Sequence, residues 1–211
     1  MKTFCVCLPE QPEAIDRARV HFAEHGLPNV DFFWGINAPV AGLSTSHTYE
    51  LDHPGSGFRM GPRPVGCWLS HYMLWQCLLR AEADPADAAK LSRDDRFLVL
   101  EVDAKLCDGF TARFAQALAD APADFDVLYV GSCCAAGRPQ TRVAGDVFEC
   151  KQMLCTHGYV ITRRCLPLLL GRLRRAWAPI DIQLTIEAFP HLKTYAVLPR
   201  IIEQFDTELP P

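Results

Sequence analysis

Glu101 and Asp103 stand two residues apart at the end of the run Arg96-Phe-Leu-Val-Leu-Glu-Val-Asp103. Residues Phe97 to Glu101 read as a buried strand, and an i, i+2 spacing on a strand puts both acids on one face. In an open α/β sheet, ligands bind at the carboxyl ends of the strands. Two carboxylates there suit a hard divalent cation, Mn²⁺ or Mg²⁺, and through it a phosphate-bearing substrate. The plainer alternative is a solvated strand end.

A second group precedes it. In Val65-Gly-Cys-Trp-Leu-Ser-His-Tyr-Met-Leu-Trp75, Gly66 is expected at a helix start, where backbone comes close to a ligand and free N–H groups suit phosphate. Ser70 and His71 follow one turn in. Arg59 and Arg63, in the polar stretch before Gly66, are candidate diphosphate clamps. A lone histidine is more often structural, and loop arginines are usually just solvated.

Ten cysteines are many for 211 residues. With no signal peptide recognisable at the N-terminus, reduced thiols are the expectation. Cys133, Cys134, Cys150 and Cys155 would supply four zinc ligands, although neither pair has CxxC spacing.

The elements that must position these groups alternate between strand and helix. Thr3–Leu8 reads as a strand and Pro12–His25 as an amphipathic helix stopped by Gly26. Val30–Trp34 reads as a strand, and Gly35–Pro64 as a long polar loop. Gly66–Ala83 is expected to be a helix with Trp68, Tyr72, Trp75 and Leu79 on one stripe. A charged connector, Ala83–Asp95, leads to the acid-tipped strand. Gly109–Ala119 is a helix, Asp126–Val130 a strand, Gly131–Glu149 an excursion or hairpin, and Met153–Thr162 strand-like. Arg163–Trp177 reads as a helix, Ile180–Phe189 as helical, and Thr194–Val197 as a last strand. This order predicts an α/β protein with a mostly parallel central sheet flanked by helices. One domain over residues 1–211 is expected, with a loose tail over 205–211.

Composition narrows the function classes. Hydrophobic residues make up 49% and charged residues 22%, which argues against disorder. A net charge of −4 argues against a general nucleic-acid binder. No apolar run approaches the roughly 20 residues of a membrane span. These features predict a cytoplasmic protein. Arg163, Arg164, Arg172, Arg174 and Arg175 interleave with leucines, which adds a peripheral contact at the inner membrane face as an alternative to a merely solvated basic face.

Several familiar motifs are missing. There is no GxxxxGK[ST] loop and no GxSxG elbow. Gly55-Ser-Gly57 begins a GxGxxG, but Met60 takes the third glycine's place and no buried strand precedes it.

The motifs that are present resemble those of glycosyltransferase family 25, which includes lipopolysaccharide and collagen galactosyltransferases. Gly66-Cys-Trp-Leu-Ser-His71 resembles its GCxxSH element. Phe97–Ala104 resembles its strand ending in Glu-Asp-Asp, and Phe125–Gly131 its WD-hydrophobic-LG strand. Cys155–Thr162 is similar to its GTHAYLIS segment and Ala178–Asp181 to its PVD element. Val6–Pro9 with Arg17 loosely resembles its opening. These segments keep the family's order and span residues 3–204. The resemblance implies a GT-A-like, Rossmann-like fold and inverting transfer of a hexose, such as galactose, from a UDP-sugar to a glycan or glycolipid acceptor. It implies a donor-pocket place for His157 and a role as catalytic base or acceptor ligand for Asp181, where a helix cap is the plainer reading. It also implies Mn²⁺ or Mg²⁺ at Glu101 and Asp103. One departure is Val102, which replaces the middle acid. That change and the short chain motivate an alternative, a catalytically silent nucleotide-sugar or glycan-binding module. A second alternative is a cysteine-based zinc or redox protein.

Overall fold

The computed structural model describes residues 1–41, 60–80, 92, 95–134 and 141–205, without the side chain of Cys134. Arg59 and most of the polar loop before it lie outside the described residues, as does most of the charged connector.

Strand β1 (Lys2–Cys7) leads into α1 (Pro12–Glu24) and β2 (Asp31–Trp34). Pro12 suits the first turn of α1, since its missing N–H has no intrahelical partner there. Gly26, at φ +84°, closes the helix in a conformation that favours glycine. Helix α2 (Pro62–Arg80) follows, then β3 (Arg96–Glu101), β4 (Ala104–Leu106), α3 (Phe110–Asp120) and β5 (Val127–Cys134). The expected excursion is a hairpin of β6 (Thr141–Ala144) and β7 (Val147–Glu149). Strand β8 (Met153–Thr162) has the predicted bounds. A 3₁₀ turn then opens α4 (Leu166–Arg172), and α5 (Ile180–Gln183) continues as π and 3₁₀ turns to His191. Strands β9 (Thr194–Val197) and β10 (Ile202–Gln204) complete the order.

The sheet runs β2-β1-β3-β8-β5-β9-β7-β6. Strand β1 pairs parallel with β2 and β3, and β5 with β9. Strand β8 lies antiparallel to both β3 and β5. The centre is therefore a mostly parallel sheet with one reversed strand, flanked by helices on both faces, as expected. Alternation along β3 feeds two cores. Phe97 and Val99 pack with Trp68, Trp75 and Tyr159 beneath α2, while Leu98 and Leu100 pack with Phe22 and Phe110 beneath α1 and α3. By that parity Glu101 belongs to the α2 side.

Two expectations need correction. Helix α2 begins a turn before Gly66, because Pro62 and Pro64 occupy first-turn positions where their missing N–H groups cost nothing. The helix expected over Arg163–Trp177 ends at Arg172. Beyond it, Gln183 Nε2 donates to Arg175 O (2.8 Å) and Gln183 Oε1 accepts from Trp177 N (3.4 Å), so one side chain satisfies backbone groups of the segment that follows the helix. The basic face shrinks accordingly. Arg164 pairs with Asp126 at 3.0 Å and Arg163 donates to Leu79 O at 2.7 Å, which leaves Arg172, Arg174 and Arg175 as the exposed arginines of the five. Of the expected loose tail only Phe205 lies among the described residues, and it follows β10 directly. Gln204 ends β10, which pairs with β4, and Phe205 N donates to Asp103 O at 2.8 Å. Among the described residues no helix is long and apolar enough to cross a membrane.

Candidate functional site

A cavity of about 680 Å³ opens at the carboxyl ends of β1, β2 and β3. Val6–Leu8 and Gln11 form one wall, Ile36–Val40 another, and Arg63, Cys67, Ser70 and His71 of α2 a third. Glu101, Val102 and Asp103 form the floor. Sequence reasoning placed Glu101, Asp103, Ser70, His71 and Arg63 at a ligand, and the fold brings all five to this one space. Among the described lining residues Arg63 is the single cation, and its side chain is exposed.

The two acids reach the cavity by a different route from the expected one. Strand β3 stops at Glu101, and Asp103 sits in the turn before β4, so strand parity does not relate them. The turn is fixed instead by Val102 N donating to Val6 O (3.1 Å) and by Phe205 N on Asp103 O.

Glu101 is held on two sides. Thr156 Oγ1 donates to its Oε1 at 2.5 Å, and His71 Nε2 lies 3.0 Å from the same oxygen. His71 is fully buried, and its Nδ1 lies 2.9 Å from the Tyr159 hydroxyl, which accepts from Trp75 Nε1–H at 3.0 Å. An indole N–H only donates, so the Tyr159 proton is free to point at His71 Nδ1. That accounting puts the imidazole proton on Nε2, facing Glu101. Burial works to raise the Glu101 pKa, yet the contacts from His71 and Thr156 outweigh it and hold the carboxyl below its ordinary value.

Asp103 behaves oppositely. Its Oδ2 accepts from Gln204 Nε2 at 2.9 Å, while Oδ1 is buried without a hydrogen-bond partner among the described residues. Burial, and next the charge of Glu101, push its pKa up to about 6. No lysine or arginine pairs with either acid among the described residues. An unpartnered carboxylate oxygen beside a second carboxylate is a donor set that fits a hard divalent cation. Cys67, His71 and Glu101 also bring ligand atoms within 4.8 Å of one another. That trio fits a metal less well, because burial and the Glu101 charge keep the Cys67 thiol protonated and both His71 nitrogens are already used.

The remaining predicted residues sit elsewhere. Gly66 is inside α2, so its N–H is not offered to a ligand. A Cβ there would stand 2.4 Å from Ile36 O and 3.2 Å from Ala38 N. Its smallness lets α2 press against the Ile36–Ala38 segment, and Ser70 secures the contact by accepting from Ile36 N (2.8 Å) while donating to Gly66 O (2.6 Å). Gly66 and Ser70 thus shape the wall. Asp181 is outside the cavity lining; its Oδ2 accepts from Cys155 N and its Oδ1 from Ile182 N, each at 2.8 Å. His157 is buried behind the floor and also outside the lining. The four-cysteine zinc set does not assemble. Cys133 and Cys155 are joined as a disulfide, Cys150 turns into the core and donates to Gln152 O, and the Cys134 side chain lies outside the described residues. Strand pairing of Cys133 with Leu154 is what sets these two sulfurs together.

Thr156, Tyr159 and Gln204 were missed by sequence reasoning. Thr156 and Tyr159 lie in a segment already singled out, but no local pattern marks a hydroxyl aimed at an acid 55 residues away.

No protein-family model matches the chain. The procollagen lysyl hydroxylase and glycosyltransferase of Acanthamoeba polyphaga mimivirus is 25% identical over 171 residues, covering 78% of this chain and 19% of that protein. The chain therefore spans about a fifth of the length of the curated relative it matches. The crystal structure of a glycosyltransferase involved in the glycosylation of the major capsid of PBCV-1 superposes with a TM-score of 0.50 and 8% identity, covering 98% of this chain and 92% of that one. The chain thus shares the mixed α/β, Rossmann-like fold of that protein.

Proposed function

We propose that the chain is a glycosyltransferase that moves a hexose, galactose being the specific expectation, from a UDP-sugar to a hydroxyl of a glycan or glycolipid, with inversion. The observation that carries this reading is the pair of acids, Glu101 and Asp103, on the floor of a nucleotide-sized cavity with no lysine or arginine paired to either among the described residues. Similarity to a curated protein whose name includes a glycosyltransferase supports it.

In this reading Glu101 and Asp103 hold Mn²⁺ or Mg²⁺. When bound, that ion supplies positive charge to the diphosphate as it leaves. His71 and Thr156 keep Glu101 ionised and aimed. Arg63, across the cavity, brings its guanidinium to the phosphates. Val6–Leu8 and Ile36–Val40 provide a largely apolar wall for the nucleoside. For Asp181 to take the acceptor's proton, one of its two backbone amide contacts has to open when the acceptor binds. Arg172, Arg174 and Arg175 offer an anionic glycolipid surface a smaller patch than five arginines would.

Two measurements test the proposal. Calorimetric titration with UDP and Mn²⁺ should show binding that depends on the metal. Sugar transfer or donor hydrolysis from UDP-galactose should likewise require it. Binding without turnover over a broad acceptor panel would make the chain the silent module instead. Absence of any UDP binding would remove the reading altogether.

A further inference from the structure

Behind the floor of the cavity lies a second group of ligand-bearing side chains. Cys133 in β5 and Cys155 in β8 meet through the register of the two strands. Cys155 takes a positive φ of 66°, a conformation uncommon for a residue with a side chain, and Asp181 holds its N–H. His157 follows two residues later. His157 is 1% exposed, and neither ring nitrogen has a hydrogen-bond partner of good geometry among the described residues. Both sulfurs and a ring nitrogen fall within 4.8 Å of one another.

A disulfide alone leaves this arrangement half explained. It uses the two sulfurs and neither imidazole nitrogen, and a buried polar group left without a partner is destabilising. An electron-pair acceptor between the three side chains would satisfy the ring.

We propose that reduced Cys133 and Cys155, together with His157, form a binding site for a thiophilic divalent cation, zinc first among them, distinct from the hard-cation site at Glu101 and Asp103. Two thiolates and an imidazole select zinc over Mn²⁺ or Mg²⁺, just as two carboxylates favour the hard ions. Zinc–sulfur and zinc–nitrogen bonds of about 2.3 and 2.0 Å form once the two sulfurs separate around the ion. Three protein ligands leave the fourth position open, and both cysteines are partly exposed, so solvent reaches it. Disulfide and metal exclude each other. Opening the disulfide takes two electrons and two protons from an external dithiol, which is itself oxidised to its disulfide. Zinc then displaces both thiol protons and accepts the lone pair of the imidazole. Gln204 links this place to the cavity, its Oε1 lying 3.6 Å from Cys133 Sγ and its Nε2 2.9 Å from Asp103 Oδ2.

The test uses the whole chain, reduced with a phosphine and titrated without oxygen with Co²⁺ as a coloured stand-in for zinc. The expected result is one equivalent bound with thiolate-to-cobalt absorption in the near ultraviolet and visible bands of tetrahedral coordination, all removed by added zinc. The Cys133→Ser/Cys155→Ser variant should lose the signal. His157→Gln should bind about tenfold more weakly or worse. Cys77→Ser, which removes an exposed unpaired thiol in α2, should match the parent. Unreduced protein with the disulfide intact should give no signal. The double cysteine variant leaves the buried ring in place, so it keeps the test decisive if His157→Gln does not fold. No thiolate–cobalt absorption in the reduced parent overturns the proposal, as does parental absorption in the double variant or in the oxidised protein. None of these readouts needs a sugar nucleotide, so this proposal and the transferase reading fail separately.

Discussion

Glu101 Oε1 stands 3.0 Å from Nε2 of His71, an imidazole wholly inside the protein. The pair joins the helix beneath one face of the sheet to the tip of a central strand. Through Tyr159 and Trp75 it continues as a chain of donors ending on the carboxylate. Polar groups buried this way stabilise only while every member keeps its partner.

Replacing His71 with leucine should therefore cost about 2–4 kcal/mol, because Glu101 and Tyr159 each lose one of two partners. His71→Gln, which retains an N–H donor for Glu101, should cost about half as much. Urea midpoints at constant slope measure the difference, and equal losses would show that the ring's volume matters more than its hydrogen bonds.

Metal affinity should fall as pH drops through about 6, where Asp103 takes up its proton. Above that pH both acids are ionised and binding is full. Calorimetric titration of Mn²⁺ with UDP between pH 5 and 8 checks this. Asp103→Asn should weaken binding and flatten the profile, with transfer down by about 10²–10³-fold.

The same acid should make the fold less stable when ionised. A carboxyl whose folded pKa is raised from 3.8 to about 6 contributes stability at low pH and loses it as pH rises through that range. Asp103→Asn cannot ionise, so it should be more stable than the parent at pH 7 by on the order of 1–2 kcal/mol, roughly 3–6 °C in melting temperature. The gain should vanish near pH 4. A gain independent of pH would show that Asp103 is not the group responsible.

Gly66→Ala offers a test in which local and tertiary effects oppose each other. Alanine is the better helix former by about 1 kcal/mol. Its Cβ would meet Ile36 O at 2.4 Å, a backbone atom with little room to move. The expected outcome is a net loss of about 1–3 kcal/mol with weaker UDP binding, since Ile36–Val40 line the cavity. Thermal melts and UDP titration of one variant report both.

Asp181→Asn separates an anchor from a base. Asparagine has one acceptor oxygen for the two amides that Asp181 serves, so stability should fall by about 1–2 kcal/mol with UDP–Mn²⁺ affinity unchanged. A fall in transfer of about 10²–10⁴-fold without loss of stability would instead identify the acceptor base.

The sequence made the acid-tipped strand legible because Phe97–Leu100 is a continuous apolar run, and it made α1 legible because Ile15, Ala18 and Phe22 recur at helical spacing. It was less able to show β4 and β10, whose three residues each are too short for any period to emerge. The start of α2 was obscured by Pro62 and Pro64, which punctuate loops and open helices alike. The contacts that tune the acids were out of reach for another reason. Thr156–Glu101, Tyr159–His71 and Gln204–Asp103 span 55, 88 and 101 positions, and pairing over such distances is set by sheet topology rather than by local pattern. The disulfide partners were separated for the same reason, Cys133 meeting Cys155 instead of its neighbour in sequence.

The grip of Gln204 and Phe205 on Asp103 has a temporal side. A ribosome releasing this polypeptide exposes Asp103 long before the stretch that restrains it has been made. Until that later stretch docks, Asp103 lacks both the Gln204 amide on its carboxylate and the Phe205 N–H on its backbone carbonyl.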